Sequence, residues 1–231
     1  MRNAELENIE PWRRRIYLPN YQIQEAARYA QIAPATVSSW HKVGGRKMLS
    51  SKEGKAALSY MQLIEVAVVA AFRKAGLGLK NIRETREFVA KQIESEYPFA
   101  QYRFKADGKR LVMDFQQIEG ESEKGKVLRP DQGGQLAWEA ILARLKEFDY
   151  DGDGIVIRWH LTGPKSPINI DPRVAYGAPT IKGTPTWVIS GRWDAGESVK
   201  EIAEDFDLRK EDVREALIFE GIKQKGKRWN Q

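Results

Sequence analysis

The stretch "YQIQEAARYAQIAPATVSSW", residues 21–40, predicts two short helices joined by a tight turn. Its apolar residues recur from Ile23 to Ala30 with the i, i+3, i+4, i+7 spacing of one buried helix face. Pro34 disfavours a helical conformation at the preceding residue, so the first helix ends within "QIAP". A second short helix then fits "ATVSSWH". This arrangement predicts a helix-turn-helix, which places its second helix in the major groove of DNA.

A basic turn, "KVGGRK", follows the second helix and carries two glycines between its cations. The turn predicts a wing, so that residues 22–47 form a winged helix-turn-helix. Polar side chains of the second helix would reach base edges, and the basic residues would lie near phosphates. The candidate DNA-binding residues are Thr36, Ser38, Ser39, His41, Lys42, Arg46 and Lys47. Val37 and Trp40 stand three apart and are predicted to face the core. The alternative is a helical pair with a solvated turn.

Residues 58–73, "LSYMQLIEVAVVAAFR", are apolar almost all round, which predicts a helix buried on most sides. Gly76 suits the end of this helix. The following "KNIRETREFVAKQIESE" predicts a more polar helix that buries residues such as Ile82, Phe88 and Val89.

The middle of the chain, 96–168, predicts a small α+β segment. The stretch "QYRFKADGKRLVMDF", residues 101–115, predicts two strands joined by an Asp107-Gly108 turn. A polar loop, "ESEKGKVLRPDQGG", precedes the predicted helix "QLAWEAILARLKEF". The β-prone run "GIVIRWHL" predicts a strand, and "TGPKSP" is interpreted as a linker.

The stretch "AYGAPTIKGTPTWV", residues 175–188, has the look of a phosphate-binding loop but exchanges the order of Lys182 and Gly183. Pro179 and Pro185 also lack the N–H groups that such a loop uses. A short hairpin that leads into a helix is therefore predicted instead of a nucleotide site. Two further helices follow, "VKEIAEDF" behind a capping box and "EDVREALIFEG" after a turn.

No catalytic or metal site is predicted. The acidic stretch "DYDGDGIVIRWH", residues 149–160, has the spacing of a calcium loop, but His160 stands where a bidentate Glu is needed. We interpret it as an acidic turn between helix and strand. The chain has no cysteine and two histidines, which excludes thiolate chemistry and a His-rich metal site. No enzyme constellation or cofactor motif is recognised, although an unfamiliar site stays open.

The net charge of +6 favours a polyanionic partner, with simple solubility as the alternative. The longest apolar run, "LIEVAVVAAF", is interrupted by Glu65 and is shorter than the roughly 20 residues that span a bilayer. The N-terminus shows no apolar signal region, so an intracellular protein is expected.

Two parts of the chain resemble known families. The first helical pair and "YMQLIEVAVVAAFRKAGLGLKNIRET" resemble MerR-type winged helix domains, although the stretch 43–57 is longer and richer in Lys than their usual wing. The run "INIDPRVAYGAPTIKGTPTWVISGRWDAGESVKEIAEDFDLRKEDVREALIF" resembles the small module of unknown function in VapB-type antitoxins. The matching residues are Gly177, Pro179, Ile181, Gly183, Thr184, Gly196, Ile202, Ala203, Val213, Ala216 and Leu217. The chain departs from this module at Pro185, where Arg is common, and at Arg209, which replaces the usual Ser or Thr cap and suggests a weaker helix start.

Together the two resemblances imply an α+β, mostly helical fold in three parts. A MerR-like winged helix-turn-helix would occupy 1–95, a small α+β segment 96–168, and the antitoxin module with its basic tail 169–231. The module would be a three-helix, helix-turn-helix-like unit preceded by a short β-hairpin.

The resemblance implies a cytoplasmic, non-enzymatic antitoxin of a type II toxin–antitoxin system. Its partners would be a PIN-like ribonuclease toxin and its own promoter DNA, which it would repress as a homodimer. Cations can occupy the acidic site of such a nuclease. The candidate toxin-binding residues are Lys223, Lys225, Lys227, Arg228 and Trp229. The alternative is a stand-alone MerR-like transcription regulator with a small-molecule effector domain at 96–168.

Overall fold

The computed structural model describes residues 10–42, 57–107, 132–224 and 229, with the backbone alone at 41–42 and 132–137. The chain divides into two compact units, Met1–Ile157 and Arg158–Gln231. Helices and strands occur together, so the predicted α+β class is confirmed.

The first unit is mainly helical. Its helices are α1 (Pro11–Arg15), α2 (Ile23–Ala30), α3 (Pro34–Lys42), α4 (Tyr60–Lys74), α5 (Leu79–Ile93) and α6 (Gln132–Leu145). Its short strands are β1 (Tyr21–Gln22), β2 (Ala57–Leu58) and β3 (Phe148–Tyr150). Strands β1 and β2 pair antiparallel with Tyr21 opposite Leu58, which joins the chain entering α2 to the chain entering α4.

Helix α4 is the core of the first unit. Every residue from Tyr60 to Phe72 is buried, as its nearly continuous apolar sequence predicts. Ser59 caps its start: the Gln62 N–H donates to Ser59 Oγ at 3.2 Å, and the Ser59 N–H donates to Gln62 Oε1 at 2.8 Å. A reciprocal cap of this kind satisfies backbone N–H groups that the helix itself leaves unpaired.

One charged side chain lies inside this apolar helix. Glu65 is fully buried and forms an ion pair with Arg86 of α5. Its other oxygen accepts the N–H of Phe99 at 2.8 Å, within a 3₁₀ turn at Pro98–Ala100. Arg86 also donates to the carbonyl of Glu96 at 2.5 Å. The buried carboxylate therefore joins α4, α5 and the turn that follows α5, because each of them satisfies part of its hydrogen-bonding capacity.

The predicted hairpin at 101–115 is wrong in its first strand. Residues 102–107 are helical, and the second predicted strand lies outside the described residues. Phe104 is fully buried, with its ring centroid 4.8 Å from that of Phe99 and 6.1 Å from that of Trp138. The neighbouring Tyr102 is exposed. One helical turn buries this single aromatic ring, and packing overrides the strand preference of the sequence.

The second unit begins within strand β4 (Val156–His160). It continues with the strands β5 (Ile168–Ile170), β6 (Pro179–Ile181) and β7 (Thr184–Pro185) and the helices α7 (Thr186–Asp194), α8 (Val199–Asp205) and α9 (Lys210–Phe219). The strand order follows the sequence, and β4 to β7 pair antiparallel with their neighbours.

The stretch "TGPKSP", interpreted as a linker, forms the loop of the β4–β5 hairpin instead. The Leu161 N–H donates to the Ile168 carbonyl at 3.0 Å, and the Ser166 N–H donates to that of Gly163 at 2.9 Å. Proline and glycine occur in tight hairpin loops as well as in linkers, so composition alone did not separate the two. The predicted boundary at 168 therefore falls inside a hairpin.

The predicted hairpin and helices of the last part are confirmed. Thr180 pairs with Pro185 across a two-residue turn, in which Lys182 and Gly183 have φ of 48° and 88°. Positive φ at both central residues is the signature of a type I′ turn, which matches the twist of paired strands. The helices α7, α8 and α9 pack on one another through largely apolar faces. Their buried apolar residues are Ile189, Trp193, Val199, Ile202, Ala203, Val213, Ala216 and Leu217.

Candidate functional site

The two short helices predicted at 21–40 are present as α2 and α3, joined by a tight turn, and their use as a DNA-binding helix-turn-helix stays a prediction. The Gln22 N–H donates to Glu25 Oε2 at 2.7 Å, which caps the start of α2. Gln31 adopts a left-handed conformation with φ of 56°, and the Ile32 N–H returns to the Ala27 carbonyl at 3.0 Å. These bonds end α2, and α3 starts at Pro34, whose fixed φ suits the first position of a helix.

Helix α3 buries the two residues that were predicted to face the core. Val37 and Trp40 are 2% and 1% exposed, so both side chains belong to the core. The guanidinium carbon of Arg83, on α5, lies 5.8 Å from the centroid of the Trp40 ring. This cation–π contact was not predicted, because nothing in the sequence of α5 indicates which residue faces α3.

The outer face of α3 carries part of the predicted DNA-binding set. Thr36 and Ser38 are half-buried and Ser39 is exposed, so these three hydroxyls lie on one helix. His41 and Lys42 belong to the last turn of α3, but their side chains lie outside the described residues, as do Arg46 and Lys47. The helical placement of the hydroxyls is thus established, and the wing stays a prediction.

A cavity of about 560 Å³ opens beside the helix-turn-helix. It is lined by the turn between α2 and α3, by the end of α4 and by α6. The lining residues are Ala30, Gln31, Ile32, Ala33, Thr36, Ala70, Ala71, Arg73, Lys74, Ala140, Ala143, Arg144 and Glu147. Of the predicted site residues only Thr36 is among them. Sequence reasoning missed the rest, because they come from three distant stretches that only the packing of α4 against α6 brings together.

The acidic stretch contains the end of β3 and the turn at 151–154 that joins β3 to β4. The carboxylate of Asp151 accepts the N–H groups of Asp153 and Ile155 at 3.0 and 2.9 Å. Arg13 of α1 lies 2.9 Å from the carboxylate of Asp151 and 2.8 Å from that of Asp153. The three groups form an ion-pair network that fixes α1 against the turn. The turn was predicted to follow a helix directly. This prediction is wrong, because strand β3 lies between helix α6 and the turn.

In the second unit the start of α9 is built around a buried carboxylate. Asp212 is fully buried and accepts the backbone N–H of Arg209 at 3.1 Å and its guanidinium at 2.6 Å. Lys182, from the β6–β7 turn, places its ammonium 3.1 Å away. The hydrogen bonds from Arg209, with help from Lys182 and against the effect of burial, hold the pKa of Asp212 at about 2. The weaker cap expected from Arg209 is thus compensated by Asp212, which reaches back to the N-cap.

The basic tail is attached to the second unit at Trp229. Its indole is 7% exposed and meets the ring of Trp193, on α7, edge to face at 5.8 Å. The guanidinium of Arg214, on α9, donates twice to the Trp229 carbonyl, at 3.3 and 3.2 Å. Burial of the indole and two charged hydrogen bonds therefore hold the chain in place at this residue.

The predicted toxin-binding set is only partly described. Lys223 is exposed just after α9, and Trp229 is buried as above. Lys225, Lys227 and Arg228 lie outside the described residues. A direct contact between Trp229 and a partner would require its indole to leave Trp193.

Within residues 10–42, 57–107 and 132–224, no group of three or more His, Cys, Asp or Glu side chains is arranged to hold a metal ion. In the same ranges no helix is both long and apolar enough to cross a membrane.

Part of the second unit is similar to a known protein family. The family "Protein of unknown function (DUF433)" matches residues 168–219, which run from β5 to the end of α9. The match thus covers the hairpin, the three helices and the buried Asp212.

The chain as a whole is similar to mycobacterial proteins. It is 25% identical over 227 residues to the Mycobacterium tuberculosis (strain ATCC 25618 / H37Rv) protein named "Putative antitoxin VapB45", and the alignment covers 88% of this chain and 94% of that protein. The X-ray crystal structure of Rv2018 from Mycobacterium tuberculosis matches with a TM-score of 0.75 at 22% identity, over 87% of this chain and 98% of that chain. At this identity the structural match establishes a shared fold.

Proposed function

We propose that this protein is the antitoxin of a type II toxin–antitoxin pair and acts in the cytoplasm without catalysis of its own. The observation that carries the proposal is the similarity, over 88% of the chain, to a protein named as an antitoxin. The order of parts supports it as well: two short helices at 23–42, which we propose act as a helix-turn-helix, precede the stretch 168–219 that matches the family of unknown function. An antitoxin that represses its own promoter needs one surface for DNA and another for its toxin.

The proposed toxin is a PIN-like ribonuclease, whose active site holds divalent metal with a cluster of carboxylates. Cations placed in such a site form charge-assisted hydrogen bonds with those carboxylates. The proposed toxin contacts are Lys223, Lys225, Lys227 and Arg228. Trp229 takes a different role in this proposal: its burial against Trp193 ties the basic segment to the second unit. Tethering at both ends lowers the conformational entropy that the segment loses on binding.

The proposed operator contact is the outer face of α3, with Ser39 exposed near its centre. His41, Lys42, Arg46 and Lys47 would extend this surface toward the wing. Helix-turn-helix proteins of this kind bind two half-sites about one helical turn apart, as dimers. A homodimer is therefore part of the proposal, and sedimentation of the free protein tests it directly.

Co-expression with the neighbouring small reading frame tests the toxin partnership. We expect a stable complex and relief of the growth arrest that the neighbouring product causes alone. Reversal of charge at Lys227→Glu and Arg228→Glu should weaken neutralisation while leaving Trp229 intact. The matched control reverses two exposed lysines of the same unit, Lys165→Glu and Lys200→Glu. If no complex forms while specific promoter binding is intact, the stand-alone regulator replaces the antitoxin.

Operator binding is tested on α3 itself. Ser39→Glu brings a carboxylate to the surface proposed to face phosphates, so the affinity for promoter DNA should fall at least about tenfold. Ser190→Glu, on α7 of the other unit, is the control for an added charge. For the wing, Arg46→Ala with Lys47→Ala should reduce both the affinity and its dependence on salt. An unchanged salt slope would refute the wing assignment.

A further inference from the structure

The cavity beside the helix-turn-helix has the dimensions of a small-molecule site. Its volume is about 560 Å³, within the range of about 300–1,000 Å³ typical of ligand pockets. We propose that it binds a small organic anion that carries a flat apolar group. This site is separate from the proposed operator and toxin contacts, apart from Thr36 at its edge.

Six of the thirteen residues that line the cavity are alanine. The alanines come from α2, the turn after it, α4 and α6: Ala30, Ala33, Ala70, Ala71, Ala140 and Ala143. Side chains of one methyl group leave smooth surfaces on neighbouring helices, so a flat group can lie close to them. Apolar walls favour an apolar ligand body, because its burial removes surface from water.

The polar part of the lining is mainly cationic. The charged lining residues are Arg73, Lys74, Arg144 and Glu147, three positive groups and one negative group. Arg73 Nη1 donates to the Leu77 carbonyl at 2.6 Å, and Arg144 Nη1 donates to Glu147 at 2.6 Å. Each guanidinium is thus held by a group three or four residues further along the chain. Guanidinium groups fixed before binding suit carboxylate, sulfonate or phosphate groups, since less entropy is lost on contact.

The cavity touches the proposed DNA-binding helix. Thr36 of α3 and the turn at Gln31–Ala33 line it, and α6 forms its other side. A ligand that contacts both can change the position of α3 relative to α6. Coupling of this kind is reciprocal: if the ligand alters operator affinity, operator DNA alters the affinity for the ligand by the same factor.

The full chain can be tested with 1-anilinonaphthalene-8-sulfonate, which combines a flat apolar body with one anionic group. Its uncharged counterpart N-phenyl-1-naphthylamine separates the two contributions. We expect Lys74→Glu to raise the Kd for the sulfonate about fivefold and to leave the Kd for the neutral probe unchanged. Lys80→Glu changes another exposed lysine, one that does not line the cavity, and is the matched control.

Ala143→Trp tests the location, because Ala143 is exposed at the cavity and an indole there would fill the space. This variant should abolish binding of both probes with an unchanged circular dichroism melting curve. If it unfolds, the Lys74 and Lys80 pair of variants still decides the question. Equal binding of the sulfonate to the wild type, Ala143→Trp and Lys74→Glu would overturn the proposal. A Lys74→Glu variant that loses affinity for the promoter but keeps its affinity for the sulfonate would also overturn the proposal, because the ammonium of Lys74 would then bind DNA. None of these readouts depends on a toxin.

Discussion

Substitution of Trp229 by Ala should release the chain end from the second unit. Burial of one large aromatic side chain contributes about 1.5–3 kcal/mol, and the edge-to-face contact with Trp193 adds about 0.5–1.5 kcal/mol. The hydrogen bonds from Arg214 to the Trp229 carbonyl contribute about 0.5–1.5 kcal/mol more. We therefore expect a loss of about 3 kcal/mol.

Amide hydrogen exchange in the full chain measures this loss locally. A decrease of about 3 kcal/mol in opening free energy accelerates exchange about a hundredfold. We expect this acceleration in α7 and α9, with α2 to α5 unchanged. Trypsin should also cleave after Lys223 sooner in the variant than in the wild type.

Trp187 is the matched control, because it lies on α7, as Trp193 does, and its side chain is exposed (63% for the residue). Trp187→Ala should change exchange in α7 by less than about threefold, since an exposed side chain contributes little. If the two variants behaved alike, or if Trp229→Ala left exchange in α9 unaltered, the contacts of Trp229 would not stabilise the unit and the reasoning would fail.

Three further substitutions probe the interior of the two units. The depressed pKa of Asp212 should stabilise the fold by about 1 kcal/mol above pH 4, after allowance for its exposed cationic partners. This stability is lost as pH falls toward 2, so Asp212→Asn should lose less stability between pH 4 and 2 than the wild type does, as measured by unfolding in urea. Glu65→Ala leaves the Arg86 guanidinium buried without its carboxylate and should cost about 3–5 kcal/mol in chemical denaturation. Gly191→Ala should raise stability by about 1 kcal/mol, because Gly191 lies inside α7 with open space at its Cβ position.

Two of these substitutions have a control variant that isolates the cause. Glu84→Ala removes a carboxylate from an exposed pair on α5 and should cost less than about 0.5 kcal/mol. Gly196→Ala, at a φ of 107°, should destabilise the unit, in contrast to Gly191→Ala. A Gly191→Ala variant that lowers the melting temperature would contradict the helix argument. An Asp212→Asn variant whose stability falls between pH 4 and 2 as steeply as that of the wild type would assign the fall to other carboxylates, such as Asp171 and Glu201.

Much of the local structure could be predicted because short-range patterns decide it. The apolar stretch at 58–73, the capping box at Ser198 and the two-residue turn at Lys182 each contain their own determinants. Helix α3 was predicted with its inward residues for the same reason.

The predictions were wrong where contacts between residues distant in sequence determine the structure. Residues 102–107 have strand-like composition, but the burial of Phe104 between Phe99 and Trp138 selects a helical turn. Trp229 follows a polar, basic stretch that reads as solvated, and only the folded unit reveals its pairing with Trp193. The cavity could not be predicted either, since its alanines look like ordinary helix residues until α4 and α6 are seen together.

The contact between Trp193 and Trp229 also makes the protein its own optical reporter. Two indoles held edge to face couple their electronic transitions, and this coupling produces a circular dichroism band that separated indoles do not give. The chain has seven tryptophans, but the band depends on this pair having a fixed mutual orientation. Any partner that draws the chain end away from α7 should reduce the band without a label, whereas a partner that binds while the end stays in place should leave it intact.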